Sequence, residues 1–307
     1  MRNVALILVA ATGVLLGCGT GDQTPDAVDQ DSGALSVCVV NYPLGYFAER
    51  IGGDHVKVLF PAPAEVDPAF WSPDADTIAA YQDADLILLN GAGYATWVDR
   101  ATLPSSKIVN TSSGFAFQHI PLDDTVTHSH GPEGEHAHGG WAFTTWIDPT
   151  QAVEQARAIR EAMAAADPEH AEQFGAGFAA LVADLSALDQ RFAAAAETIG
   201  DQPLIFSHPV YQYLIRRYGL NGVSVHWEPD QAPDLGQLEH LLEEQAAHWM
   251  IWEGDPLAET VTDLAAYGVK SVVFDPCGNT PETGDYMTVM AANAEALETI
   301  AGEGPAD

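Results

Sequence analysis

Near the middle of the chain, Asp167-Pro168 opens an amphipathic stretch that runs to about Ile199. Phe174, Phe178, Leu181, Leu185, Leu188 and Phe192 recur along it at helical spacing, so one face is apolar. A helix of about 30 residues is about 45 Å long, which is long for a globular protein. Whatever forms on either side must be organised around it. The stretch is expected to be a rigid connector over 167–200.

The two flanks carry the same rhythm. Before the connector, the short apolar runs 36–41, 56–60, 85–89 and 107–110 read as strands. Helices are expected over 46–51, from Ser72-Pro73 to about Gln82, and from Asp148-Pro149 to about Ala166. After the connector, strands are expected at 204–207, 222–225, 249–252 and 271–274, with helices at 209–218, 234–246, 256–266 and 285–301. Strands alternating with helices imply parallel sheets. The fold class is therefore α/β: two parallel-sheet lobes joined by one long helix, with a ligand cleft between them. The expected division is a signal peptide over 1–17, a lipidated cysteine and tether over 18–34, an N-terminal lobe over 35–166, the linker helix over 167–200 and a C-terminal lobe over 201–307.

The N-terminus has one positive charge, Arg2, followed by an apolar run, Val4–Leu16, too short to span a bilayer. Leu15-Leu16-Gly17-Cys18 resembles a bacterial lipobox, so Cys18 is expected to carry the lipid. The polar segment 19–33 reads as its tether. These features predict an exported, membrane-anchored lipoprotein facing the periplasm or the cell exterior. The 44 acidic residues against 11 Lys and Arg give a net charge of −33, which excludes nucleic-acid binding and favours cations. Apart from Cys18 there are Cys38 and Cys277. An exported location leaves a disulfide between them and two free thiols equally open.

One segment is unlike the rest. Residues 127–140 hold His128, His130, His136 and His138 as two His-x-His pairs around Glu133 and Glu135. Glycines and a proline argue against a helix or a strand here. Such a loop collects zinc-like ions but has no fixed geometry to select one. Selectivity needs a pocket, and ligands of open α/β sheets bind beyond the carboxyl ends of the strands. His208 and Asp275 stand at such ends. Pro209 would be the first residue of a helix, and a helix N-terminus keeps an imidazole neutral and able to bind metal. Glu65, Asp67, Glu228 and Glu253 are further candidate oxygen ligands, and His226 an outside one. Trp71, Trp146, Trp227 and Trp252 read equally as core or cleft wall and as ligand contacts. The chain has no His-Glu-x-x-His and no Gly-x-Ser-x-Gly, so it is not expected to be an enzyme.

Several motifs occur in a fixed order: the lipobox, Asn41-Tyr42-Pro43, Glu49-Arg50-Ile51-Gly52-Gly53, Val66-Asp67-Pro68, Asp83-Ala84-Asp85-Leu86-Ile87, the histidine loop, Trp146-Ile147-Asp148-Pro149 and Tyr218-Gly219-Leu220. Together the chain resembles the zinc- and manganese-binding solute receptors of ABC importers, the ZnuA/TroA-like family, over roughly residues 36–302. The resemblance implies one zinc, or manganese or another divalent ion, held in the cleft. It also implies an ABC permease as partner, membrane attachment through the lipid, and a monomer. Two family histidines are replaced, by Ala69 and Thr144; the other two ligands match His208 and Asp275. His136 or His138 could fill the gap, or one of the four carboxylates. The alternative is an accessory metal-storage, chaperone or adaptor lipoprotein of the same fold without a tight cleft site.

Overall fold

A computed structural model describes residues 33–122, 127–129, 135–137, 140–233 and 235–303. Strands Leu35–Val39 (β1), Val56–Leu59 (β2), Leu86–Leu89 (β3) and Ile108–Asn110 (β4) form one parallel sheet in the order β2-β1-β3-β4. Helices Tyr42–Gly52 (α1), Ala75–Asp83 (α2) and Pro149–Ala166 (α3) pack with it. Asn41 caps α1 by accepting from Leu44 N, and Asp148 caps α3 by accepting from Thr150 N at 2.9 Å. The cap of α2 is Asp74, which accepts from Thr77 N at 2.8 Å, so Ser72-Pro73 lies just outside the helix instead of opening it.

Pro121–Leu122 (β5) pairs with Gly140–Trp141 (β8), and between them Thr127–Ser129 (β6) pairs antiparallel with Glu135–Ala137 (β7). The expectation that the histidine segment contains no strand is thus corrected. His128 stands opposite His136 in a short ladder, and Gly131-Pro132-Glu133-Gly134 between them is turn-forming sequence. His130 and His138 lie outside the described residues, as do Cys18 and the tether.

A one-turn helix at Pro168–His170 leads into Ala171–Ile199 (α4), whose 29 residues are about 43 Å long. Phe174, Leu181, Leu185, Leu188 and Phe192 are all buried, as their spacing requires. The helix passes so close to the end of α1 that a Cβ on Gly177 would lie 2.4 Å from the Ile51 carbonyl oxygen.

The second parallel sheet comprises Leu204–Phe206 (β9), Gly222–Ser224 (β10), Trp249–Trp252 (β11) and Lys270–Val273 (β12), ordered β10-β9-β11-β12. Gln212–Tyr218 (α5), Leu235–Glu244 (α6), Ala258–Ala266 (α7) and Tyr286–Glu303 (α8) complete this half. Each sheet has the strand order of its mate, so the two halves share one winding. Among the described residues no helix is long and apolar enough to cross a membrane. Cys38 and Cys277 are both buried and free, and burial pushes the Cys38 thiol up to about 11.

Hydrogen bonds tie the halves together. Tyr213 Oη donates to Ala142 O at 2.7 Å, Trp146 Nε1 to Pro276 O at 2.7 Å, and Tyr286 Oη to Trp146 O at 2.8 Å. Asn279 Nδ2 donates to Pro63 O and Val66 O, each at 2.8 Å. Each of these bonds leaves a side chain at least partly buried, where a lost partner is costly.

Candidate metal centre

The second sheet presents four acidic or imidazole side chains beyond its carboxyl edge. Glu228 follows β10, His208 follows β9, Glu253 follows β11 directly and Asp275 follows β12. In sheet order this is Glu, His, Glu, Asp, with the imidazole between the two glutamates. Ser207 fixes the register. Its N–H donates to Ile251 O at 2.9 Å, its carbonyl accepts from Trp227 N at 2.8 Å, and its hydroxyl accepts from Glu253 N at 3.2 Å.

His208 Nδ1 lies 3.5 Å from Glu253 Oε1 and 3.9 Å from Glu228 Oε1. One ligand atom from each of the three falls within 4.8 Å of the others. Two donors held about 2.1 Å from a tetrahedral ion sit about 3.4 Å apart, so the spacing matches a shared cation. The imidazole is 4% exposed and the carboxylates 22% and 23%, so the group is largely withdrawn from bulk water. His226, which is exposed, stands edge-on to His208 with ring centroids 5.4 Å apart.

Asp275 lines the same cavity but stands outside this three-donor group. Its Oδ1 accepts from Cys277 N at 2.6 Å, and Asn293 clasps its backbone from both sides. Burial holds its carboxyl above the usual range, against the bond from Cys277 N. Asp67 is also on the wall, with its Oδ1 accepting from Ala69 N at 2.8 Å. Glu65 is exposed and does not line the cavity. Of the histidine loop, only the backbones of His128 and His136 are described.

Two sequence expectations change here. The helix after His208 starts at Gln212, not at Pro209, so the ring does not stand directly at its N-terminus. Residues 208–211 form a turn in which Val210 N donates to His208 O, while Val210 O accepts from Thr144 Oγ1. That second bond also explains Thr144. Where the resemblance puts a histidine, the Thr144 hydroxyl instead ties the first half to the His208 turn. Ala69 is buried next to the wall residues Pro68 and Phe70. A network of buried amides fixes the Thr144 segment: Asn90 Nδ2 donates to Phe143 O at 2.8 Å and Gln155 Nε2 to Asn90 Oδ1 at 3.0 Å.

The cavity has a volume of about 370 Å³. Its wall on the first half is aromatic: Phe70, Tyr94, Phe143 and Trp146. Sequence reasoning missed Tyr94. The available hint was the glycine-rich run Asn90-Gly91-Ala92-Gly93-Tyr94 after β3. In it Gly91, Ala92 and Gly93 all take positive φ, as does Ala95 beyond.

A family model described as zinc-uptake complex component A, periplasmic, matches residues 37–300. The chain is 27% identical over 323 residues to the zinc-binding lipoprotein AdcA of Streptococcus pneumoniae, covering all of this chain but 62% of that protein. It is 27% identical over 316 residues to the high-affinity zinc uptake system protein ZnuA of Bacillus subtilis, covering 95% of this chain and 96% of that one. Among solved structures, the metal-dependent lipoprotein YcdH of Bacillus subtilis superposes with a TM-score of 0.74 at 25% identity, over 86% of this chain and 98% of that one. Zn(II)-bound AdcA from Streptococcus pneumoniae has a TM-score of 0.72 at 24% identity, over 89% of this chain and 59% of that one.

Proposed function

Because this chain belongs to the ZnuA family of zinc-uptake components, a family of receptors and not of enzymes, we propose that it captures zinc or a similar divalent ion outside the cytoplasm and delivers it to an ABC permease. The ion is held by His208, Glu228 and Glu253, with Asp275 beside them. The observation that carries this reading is the convergence of those three donors within 4.8 Å at the carboxyl edge of one sheet. In this chain the protein's own donors all come from the second half, while Ala69 and Thr144 in the first supply none. The lipobox at Cys18, and relatives named as lipoproteins, support a membrane anchor. The His-x-His pairs act as a weak outer collector that hands ions inward.

Metal stoichiometry tests this. The stripped full chain, titrated with zinc, binds one ion tightly and further ions weakly. Removing residues 128–138 abolishes the weak ions and leaves the tight one. Glu228→Gln combined with Glu253→Gln abolishes the tight one and leaves the weak. Only weak ions, all lost with the loop, would instead identify an accessory metal store.

A further inference from the structure

The three-donor group and the cavity are mismatched in size. An ion with one or two waters fills well under 100 Å³, since a water takes about 30 Å³. The cavity holds about 370 Å³. That is the range of pockets for organic molecules, which are mostly apolar with a few placed polar groups. The surplus space lies against aromatic side chains. Tyr94 packs edge-on to Phe143 and Trp146, with centroids 5.2 Å and 5.7 Å away, and Phe70 packs edge-on to Phe143 at 6.3 Å. Such a wall gives nothing to a hydrated ion but suits a flat ring.

A second observation points the same way. Tyr94 lines the cavity and is 7% exposed, yet its hydroxyl has no hydrogen-bond partner among the described residues. A buried polar group in that state costs free energy until something meets it. The third observation is coordination. His208, Glu228 and Glu253 supply three donor atoms, and zinc normally takes four or five. Imidazole nitrogen suits zinc, so nitrogen donors can complete the shell.

We propose that the cleft takes its metal as a complex with one small nitrogen-donor chelator, an amino acid bearing an imidazole ring. The chelator's amine and ring nitrogens fill the open coordination positions that neither Ala69 nor Thr144 can fill. Its ring lies against Phe70 and Phe143, and its carboxylate accepts from the Tyr94 hydroxyl. This rests on the reading that His208, Glu228 and Glu253 hold the ion.

The test uses the stripped full chain with zinc alone and with zinc plus isotopically labelled L-histidine. Expected is an affinity for the zinc–histidine complex about tenfold or more above that for zinc alone, equivalent to about 1.4 kcal/mol. Labelled histidine should be retained with zinc at one to one after desalting. Tyr94→Phe and Phe143→Ala, checked for folding by thermal melts, should weaken the complex more than they weaken zinc alone. If histidine only competes for zinc and none is retained, the chelate proposal is overturned while the receptor reading stands. If the parent binds neither zinc nor the complex, both fall.

Discussion

Replacing His208 with alanine isolates the part of the proposed metal centre that matters most. The ring is the only nitrogen donor in the three-membered group, and it sits between two carboxylates at 3.5 Å and 3.9 Å. Four-donor zinc sites bind with about 10–16 kcal/mol, or about 3 kcal/mol per donor. Losing one donor therefore costs about a hundredfold in affinity. The remaining donors are all oxygen, so the loss should be smaller for manganese than for zinc, and the ratio between the metals should fall. The side chain is also buried, so the metal-free variant should melt lower, by about 1–3 kcal/mol of stability. Competition against a chromogenic zinc indicator near neutral pH measures the affinity, and metal-free melting confirms that the variant folds. A folded His208→Ala protein with zinc affinity within about threefold of the parent would refute the assignment. Glu253→Gln guards against a purely structural effect, because it keeps the shape and removes only the charge.

Other perturbations probe the frame around the site. Thr144→Val removes the bond to Val210 O in a buried setting and should cost about 1–3 kcal/mol by chemical denaturation; an unchanged midpoint would show that the tie carries nothing. Gly177→Ala separates packing from propensity. Alanine favours an isolated helix by about 1 kcal/mol, but its Cβ would lie 2.4 Å from Ile51 O, so the variant should be less stable, and a gain would contradict the close approach. Asp85 accepts from the Ser36 hydroxyl and N–H at 2.6 Å and 2.9 Å, which holds its carboxyl below the usual range. Its stabilising effect is therefore present above the unfolded value, about 3.9, and is lost as pH falls through the folded one. Melting temperatures of Asp85→Asn and parent should differ at neutral pH and converge in acid.

Much of the frame was legible because local chemistry decided it. The apolar spacing of 171–199 and the Asp148-Pro149 cap needed no distant partner, and both formed as read. The strand runs were short and rich in β-branched residues, and their ends shifted by a residue or two. Errors arose where tertiary contacts decide. The His208 turn delays its helix to Gln212 because Val210 O is bound from the other half by Thr144. The histidine segment forms a short ladder, which its glycines and proline argued against, although the same residues make good turns. The carboxylates could not be ranked, because Glu228 and Glu253 meet only through strand order. A hint was present: Trp227-Glu228 and Trp252-Glu253 repeat the same pair at the carboxyl ends of the two strands that flank β9. Tyr94 was invisible because its role depends on a cavity that no single stretch of sequence defines.

The bonds from Tyr213, Trp146, Tyr286 and Asn279 across the halves bear on how a loaded receptor announces itself. Each is anchored on backbone carbonyls, so opening the cleft widely would break several at once. Empty and loaded molecules then share nearly the same outline. What would differ is the field at the cleft: Asp67, Glu228, Glu253 and Asp275 line it, and a bound divalent cation would offset part of that charge. If the proposed permease docks over the cleft, it would sense cargo as a change in electrostatic potential, and its discrimination between full and empty states would weaken as salt is raised.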